Sequence, residues 1–202
     1  MSNIILNVSY ADKDEIKRLG AKWDAERKVW FLPKHVDQSA FSKWLPKEPE
    51  VTIRSSFYFL ARSTEICWKC SSSTHVFGFV LPSGHAALEP GDGPDGWVLH
   101  NNEIGIPRYI TYLAPAVTTL MKSVSRHYRT DFSNTTKSSY WMNHCEHCGA
   151  KQGDFQMFCE PGGAFFPMDK AEAAAIKLQK IAEPFDCSGD IGYDSFPFDL
   201  ES

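Results

Sequence analysis

Two Cys-x-x-Cys pairs constrain this chain more than any other feature of its sequence. The first pair, Cys67 and Cys70, lies in "CWKC", and the second, Cys145 and Cys148, lies in "HCEHCG". Each pair supplies two thiolates from one tight turn, and two such turns that face each other complete the tetrahedral site that Zn²⁺ prefers. The sequence therefore predicts a zinc site made of four cysteines.

The long separation of the two pairs is compatible with one shared site. Residues 71–144 lie between them, whereas an ordinary zinc ribbon has roughly 15–20 residues there. Each doubling of a loop adds only about 0.6 kcal/mol of closure free energy. A structural zinc ion contributes on the order of 10 kcal/mol to folding. We therefore expect the intervening residues to form a domain built around the ribbon.

Other chemistry at the second pair stays open at the level of sequence. His144 or His147 could replace one thiolate, and either cysteine pair could take part in thiol redox chemistry. A catalytic zinc ion would keep an open coordination position and a nearby acid or base. Four thiolates close the site, and Glu146 is predicted to face solvent. We therefore expect a structural metal rather than a catalytic one.

The compartment follows from what the N-terminus and the cysteines look like. The first residues, "MSNIILNVSYADKDE", show neither the basic start nor the cleavage site of a signal peptide. No run approaches 18 consecutive apolar residues, so no membrane span is expected. Cysteine pairs in such a chain favour zinc over disulfides. We expect a cytoplasmic protein.

Residues 1–46 are predicted to form a small module of helices and strands. Apolar residues alternate at positions 4–8 as in a strand, and a helix is expected over 11–19. Two short strands around a polar turn are expected over 21–33, and a last helix over 37–45. Pro46 and Pro49 then mark a linker.

This segment resembles a small module of unknown function that is also attached to conjugative-plasmid DNA primases. The likeness implies a shared fold and leaves the role of the module undefined. It covers about a fifth of the chain, and the residues that carry it are Leu6-Asn7-Val8, Tyr10, Lys13-Asp14-Glu15, Lys17, Leu19-Gly20-Ala21-Lys22-Trp23-Asp24 and Lys28-Val29-Trp30-Phe31-Leu32-Pro33.

Two tryptophans of this module allow two interpretations. Trp23 and Trp30 are expected to be buried partners across the hairpin. Alternatively they are exposed and stack on nucleic-acid bases, with Lys22, Arg27 and Lys28 beside them to meet phosphates.

Residues 51–202 are predicted to form the second domain, which ends in an acidic tail. Apolar residues from Leu113 to Tyr128 recur at helical spacing, and Pro115 suits the first turn of a helix. A C-terminal helix is expected after Asp169, which has Glu172 at the capping-box spacing. The predicted fold class is α+β: a small N-terminal module, then an antiparallel zinc-ribbon domain with inserted and C-terminal helices.

The core of the second domain also resembles an uncharacterised bacterial family with the same cysteine pattern. The resemblance spans residues 62–167 and implies kinship without any known activity. It is carried by Cys67-Trp68-Lys69-Cys70, Tyr140-Trp141-Met142-Asn143-His144-Cys145, Cys148-Gly149-Ala150, Gln152-Gly153-Asp154-Phe155 and Phe165-Phe166-Pro167.

The charge distribution leads to the functional hypotheses. The net charge is −4, and residues 151–202 hold ten acids against four bases, whereas a general nucleic-acid binder would show a basic face. No candidate nucleophile and base have a sequence spacing that indicates a catalytic pair. We therefore expect a protein that is not an enzyme. Acids alternate with aromatic residues near the C-terminus, which is typical either of a solvated tail or of a docking segment. The residues of the predicted docking segment are Asp190, Tyr193, Asp194, Phe196, Phe198 and Asp199.

The first hypothesis is therefore a zinc-containing protein that binds another protein. In its most concrete form it is an immunity or antitoxin-type inhibitor, whose acidic surface occludes the basic cleft of a bacterial toxin. The second hypothesis is a nucleic-acid accessory protein that grips DNA or RNA through the N-terminal module and the zinc ribbon.

Overall fold

The computed structural model describes residues 4–33, 35–45, 50–89 and 96–194. The chain divides into two compact units, Met1–Pro49 and Glu50–Ser202, and each has a core of its own. The predicted linker falls on residues 46–49, outside the described residues. No helix in the described part of the chain is long and apolar enough to cross a membrane.

The first unit is a three-stranded antiparallel sheet covered by short helical segments. The strands lie in the order β1-β3-β2. Six buried side chains form the core: Leu6, Ile16, Ala21, Leu32, Phe41 and Trp44. The elements are β1 (Ile4–Leu6), a 3-10 turn (Tyr10–Asp12), α1 (Lys13–Arg18), β2 (Lys22–Asp24), β3 (Val29–Leu32) and a second 3-10 turn (Ser39–Phe41).

The helix predicted over residues 37–45 is reduced to the second 3-10 turn. The Asp37 carboxylate accepts hydrogen bonds from the backbone N–H and the hydroxyl of Ser39, at 3.0 and 2.6 Å. Such local side-chain bonds compete with helix formation. Phe41 and Trp44 are nevertheless buried and meet edge to face, so the core contacts are made without the regular helix.

The second unit consists mainly of strands, and every strand pair among the described residues is antiparallel. Three sheets have the orders β10-β11-β12, β13-β5-β6 and β8-β7-β4-β14-β9. The elements are β4 (Ile53–Ser55), β5 (Tyr58–Ile66), β6 (Ser73–Val80), β7 (His85–Leu88), β8 (Trp97–His100), β9 (Ile104–Leu113), α2 (Pro115–Val124), β10 (Tyr128–Ser133), β11 (Ser138–His144), β12 (Lys151–Gln152), α3 (Asp154–Phe158), α4 (Lys170–Ala175), β13 (Lys177–Ile181) and β14 (Phe185–Asp194).

An aromatic cluster lies at the centre of the second unit. The Phe79 ring lies 5.9 Å from that of Tyr58, 6.0 Å from that of Tyr128 and 5.0 Å from that of Phe185, between ring centroids. These residues come from four different strands, and rings at such distances attract beyond the area they bury. The cluster therefore brings together segments that are far apart in sequence.

The helix predicted after residue 113 is confirmed over a shorter range. Helix α2 begins at Pro115, whose fixed φ and missing N–H suit the first helical position. Leu113 instead ends β9 and Tyr128 begins β10, although both fit the helical spacing. The side chains of Leu113 and Tyr128 pack into the same core as the buried face of α2. One apolar pattern in the sequence therefore covers the end of β9, helix α2 and the start of β10.

The C-terminal helix predicted after Asp169 ends early, and its second half is a strand. Asp169 caps α4 by accepting from the N–H groups of Ala171 and Glu172, which confirms the predicted start. From Lys177 onward the chain instead forms β13, which pairs with β5. Alternate residues such as Ile176 and Leu178 then pack into the core, and an edge of the sheet gains a partner. Tertiary pairing outweighs the helix propensity of this segment.

The predicted tail is in part a core strand. Residues 185–194 form β14, which pairs with β4 on one side and with β9 on the other. Phe185 and Cys187 are completely buried. The interpretation of a solvated terminus is therefore wrong for this stretch, because the strand is needed to complete the five-stranded sheet. The predicted residues Phe196, Phe198 and Asp199 lie outside the described residues.

One buried amide joins two of the sheets. The Asn143 side chain on β11 accepts from the backbone N–H of Phe77 at 2.8 Å and donates to its carbonyl at 2.9 Å. Asn143 is 1% exposed, so no water replaces these bonds. The amide thus acts as a strand partner for the edge of β6.

We predict that Asn143→Leu lowers the free energy of unfolding by about 2–4 kcal/mol, because a buried N–H and a buried carbonyl lose their partners. Asn134→Leu, at an exposed position of the turn between β10 and β11, serves as the control and is expected to change it by less than about 0.5 kcal/mol. Denaturant unfolding of both variants measures the difference, and equal losses would contradict the role assigned to Asn143.

Candidate metal centre and aromatic groove

The four predicted cysteines converge on one point of the second unit. Their sulfur atoms all lie within 4.8 Å of one another. The Sγ atoms of Cys67 and Cys148 are 3.6 Å apart, and so are those of Cys70 and Cys145. A tetrahedron with metal–sulfur bonds of about 2.3 Å has edges of about 3.8 Å. The cluster can therefore hold a metal ion with little rearrangement.

Both cysteine pairs lie at the tips of hairpins. The first knuckle (residues 67–72) joins β5 to β6, which pair up to Ile66 and Ser73. The second knuckle (residues 145–150) joins β11 to β12, which pair at His144 and Lys151. The paired strands therefore fix the position of the first cysteine of each knuckle.

The two knuckles have the same backbone hydrogen bonds. In the first, the Cys67 N–H donates to the Ser72 carbonyl, and the Ser71 N–H donates to the Cys67 carbonyl. In the second, Cys145 makes the equivalent bonds with Ala150 and Gly149. Ser71 has φ 58° and Gly149 has φ 70°, so the equivalent residue of each turn is left-handed.

The backbone around the sulfurs affects how they ionise. Burial favours the neutral thiol of Cys67, yet the N–H groups of Cys70 and Lys69 point at it and lower its pKa to about 6. At Cys148 the Ala150 N–H lowers the pKa, but burial and the neighbouring thiols outweigh this and raise it to about 11. The neighbouring sulfurs therefore oppose ionisation of Cys148, and a cation between the four sulfurs would favour the thiolate form of all of them.

The three other candidates of the second pair have partners of their own. The buried His144 ring places Nε2 3.1 Å from Oδ2 of Asp131, and Nδ1 3.2 Å from the His127 carbonyl. Glu146 is exposed as predicted, and its carboxylate accepts from the backbone N–H of His75 at 3.0 Å. His147 Nε2 lies 3.0 Å from the Ser73 carbonyl. The contacts of Glu146 and His147 attach the second knuckle to β6, and those of His144 attach its base to β10.

A neighbour of the cluster that sequence reasoning missed is Gln152. Its buried amide nitrogen lies 3.4 Å from the Cys67 sulfur and donates to the Ala150 carbonyl at 2.9 Å. Gln152 thus links a thiol of the first knuckle to the backbone of the second. Gln152 is among the residues that carry the second resemblance, but that resemblance gives it no role, and a single glutamine has no recognisable pattern of its own.

Of the predicted docking segment, the structure describes only two side chains, those of Asp190 and Tyr193, and their surroundings differ. Asp190 is exposed on β14. The Tyr193 hydroxyl donates to Oε1 of Glu89 at 2.7 Å, and its ring stacks on that of His100 with centroids 4.4 Å apart. Of Asp194 only the pairing of the backbone with β9 is described.

The residues predicted for nucleic-acid contact lie on the first unit, where most of them line a groove of about 980 Å³. Trp23 is opposite Trp30 in the strand register, with ring centroids 5.5 Å apart. Trp23 is 49% exposed, so the prediction of two buried partners is wrong for this residue. Lys22 and Lys28 line the groove with them, whereas Arg27 does not.

Other residues line the groove as well. Tyr10 is 83% exposed, and the Lys13 ammonium lies 3.8 Å from the centre of its ring. Lys17 also lines the groove. Tyr10 was not predicted as a binding residue, because a single exposed tyrosine cannot be told from a buried one by sequence.

Comparison with known proteins confirms the resemblance of the first segment. Residues 3–46 match the family described as "Domain of unknown function (DUF5710)". Two proteins named DNA primase TraC, both from Escherichia coli, are 49% and 46% identical to this chain over 39 residues, which is 19% of it. The match covers only 4% and 3% of those relatives. No solved structure matches the chain.

We predict opposite effects for substitutions at the two left-handed positions of the knuckles. Gly149→Ala should lower the free energy of unfolding by about 1 kcal/mol, because a Cβ there meets no atom within 4 Å but has to adopt a disfavoured φ. Ser71→Gly should raise it by about 0.5–1 kcal/mol by removing the same strain.

Thermal unfolding of the metal-loaded protein measures both changes. Gly153→Ala is the control, since that glycine has φ −76° and also meets nothing within 4 Å. A gain from the reduced freedom of the unfolded chain and a loss at the start of α3 should roughly cancel there. A stabilised Gly149→Ala variant would contradict the assignment of strain to this turn.

Proposed function

We propose that the groove of the first unit binds single-stranded nucleic acid and that the four thiolates of the second unit hold a structural Zn²⁺ ion. The observation that carries the binding role is the composition of the groove, which is lined by exposed aromatic rings and by lysine side chains. We propose a binding role rather than a catalytic one for the chain.

The aromatic rings supply surfaces on which bases can stack. Trp23 and Tyr10 expose much of their area, although apolar rings are favoured inside a core. A base stacked on such a ring contributes about 1–3 kcal/mol and needs no particular sequence. The bases of a duplex are stacked on each other, so a ring gains access only to a single strand.

The charge along the groove favours the same ligand. Four lysines line it, Lys13, Lys17, Lys22 and Lys28, and no acid among the described residues does. The first fifty residues as a whole hold nine bases against eight acids. The positive charge is therefore concentrated where the rings are, and such an arrangement attracts phosphates.

The relatives support a nucleic-acid context for the module. Both of the compared proteins are named DNA primases, and their similarity to this chain lies within the first unit. The matched segment is a small part of each relative. The similarity therefore supports nucleic-acid binding by the module and does not extend to primase activity.

Zinc is the metal that the thiolate cluster suits best. Four sulfur ligands at the corners of a tetrahedron select zinc or iron–sulfur centres, and a closed set without an open position serves structure. Two knuckles at hairpin tips support a zinc-ribbon-like arrangement. Thiolates kept available for zinc suit a reducing compartment such as the cytoplasm.

The inhibitor hypothesis stays a prediction. It depends on an acidic and aromatic surface, and part of that surface falls on residues 195–202, outside the described residues. Co-purification with a partner that depends on residues 183–202 would favour it over the nucleic-acid role.

For the groove, we predict that Trp23→Ala weakens binding of an oligothymidine of about 12 nucleotides by roughly 5- to 30-fold, because one stacking surface is lost. Replacing Lys22 and Lys28 by Ala should also weaken binding and reduce the salt dependence. With four lysines engaged, the slope of log K against log salt should be no steeper than about −3. Fluorescence anisotropy of a labelled oligonucleotide measures these effects.

The matched controls lie in the second unit. Trp68 is 70% exposed outside the groove, and Lys122 and Lys170 are exposed lysines. Their alanine variants should leave affinity unchanged. Equal losses for Trp23→Ala and Trp68→Ala, or equal affinity for a duplex of the same length, would refute the proposed role of the groove.

For the metal, we predict that the protein isolated from cells contains one zinc ion per chain and that Gln152→Leu weakens zinc binding about tenfold or more. The reason is the loss of the amide that donates to the Cys67 sulfur, since partners of ligands typically carry this much affinity. Competition with a chromophoric chelator measures the affinity, with the exposed Gln179→Leu as control. An iron–sulfur spectrum, or unchanged affinity in Gln152→Leu, would contradict the assignment.

A further inference from the structure

A pocket of about 300 Å³ in the second unit combines a cationic side chain with aromatic walls. It is separate from the metal cluster and involves no residue of the first unit. Its walls include Arg108 from β9, Gly192 and Tyr193 from β14, and Phe158, Cys159 and Phe165 from α3 and the loop that follows.

The Arg108 guanidinium has few partners within the protein. Its Nη1 donates to the Cys159 sulfur at 3.3 Å, whereas its Nε is buried and has no partner. Among the side chains that the structure describes, no carboxylate oxygen lies within 4.0 Å of the guanidinium. A half-buried charge without an ion pair is costly to the fold. An arginine with a purely structural role would be expected to form an ion pair within the protein.

Two acidic residues beside Arg108 or its neighbour Tyr109 form no ion pair with the guanidinium. Asp190 is the partner of Arg108 in the register of β9 and β14, yet it lines a different depression together with Tyr109. The buried Asp154 carboxylate accepts from the Tyr109 N–H at 2.7 Å. Burial raises the pKa of Asp154 to about 7, although Arg108 acts in the opposite direction. Around neutral pH this carboxyl is therefore only partly charged and compensates the guanidinium incompletely.

The neighbouring backbone leaves room for the guanidinium. A Cβ added at Gly192 would lie 3.2 Å from Nη1 of Arg108, which is closer than nearly all real contacts of this kind. Because Gly192 has no side chain, the guanidinium of Arg108 can lie close to the backbone of β14. The rings of Phe158 and Phe165 stack beside the pocket, with centroids 4.9 Å apart.

From these observations we propose that the pocket binds a small aromatic carboxylate. A guanidinium matches a carboxylate because its planar fork can donate two parallel hydrogen bonds. Stacked phenyl rings offer an apolar surface to an aromatic body. A volume of about 300 Å³ is at the lower end for ligand pockets, which suits a single ring with its acid group.

Titration of the full-length zinc-loaded protein with benzoate tests the proposal by calorimetry. We expect a dissociation constant on the order of 1 mM or tighter, which is the range for a ligand of this size. Benzamide has nearly the same shape without the charge and should bind at least tenfold more weakly. Arg108→Met should show a comparable loss, whereas Arg129→Met, at an exposed arginine of β10, should bind as the unchanged protein does.

Cys159 provides a readout at the pocket itself. Benzoate should slow its alkylation by iodoacetamide, measured by peptide mass spectrometry, and should do so in the unchanged protein but not in Arg108→Met. The buried Cys187 reports on unfolding in the same experiment. If Arg108→Met does not fold, the comparison of benzoate with benzamide and the protection of Cys159 decide the question on the unchanged protein.

The proposal is overturned if benzoate does not bind, if benzamide binds equally well, or if a folded Arg108→Met binds benzoate with unchanged affinity. Inorganic phosphate that binds as tightly as benzoate would also overturn it, because the aromatic walls would then contribute nothing. The test does not involve nucleic acid, so failure here and failure of the proposed groove are distinguishable.

Discussion

The convergence of four thiol groups is the constraint on which the second unit depends. Sulfur atoms at 3.6 Å would repel one another as thiolates, and a shared cation would turn this repulsion into attraction. The cluster joins the hairpin β5–β6 to the hairpin β11–β12, which belong to different sheets. The same junction continues away from the cysteines, where Asn143 pairs with the edge of β6. The buried amide and the cysteine cluster therefore act on the same pair of hairpins.

Sequence reasoning succeeded where a local pattern has one physical solution. The spacing of the cysteines, the start of α2 at Pro115 and the cap at Asp169 were all predicted, because each is determined by neighbouring residues. It failed where pairing with a strand that is distant in sequence determines the secondary structure. The segment from Ile176 onward has the composition of a helix, yet it pairs with β5, and β14 completes a sheet instead of forming a tail. Gln152 was missed because a lone amide has no period and no motif.

The groove illustrates a different limit. The sequence identified Trp23 and Trp30 as opposite each other on a hairpin, but it could not say what would cover them. The core of the first unit consists of six buried residues, and Trp30 packs against it. Trp23, on the neighbouring strand, lies largely beyond its reach. A domain of this size cannot bury every large ring that its sequence contains, and an uncovered ring beside lysines becomes available to a ligand.

Net charge says little about the ligand of a particular surface in this protein, because charge is unevenly distributed at a finer scale than whole segments. The total of −4 and the acidic last quarter argue against nucleic-acid binding only if the potential is averaged over the chain. Salt screens charges beyond about 10 Å, so a ligand in the groove would respond to the four lysines that line it more than to the net charge of the whole chain. The same reasoning applies to Arg108, which has no carboxylate oxygen within 4.0 Å among the side chains that the structure describes. In both places the local arrangement of charge and ring, and not the sum over the sequence, determines which ligand the surface suits.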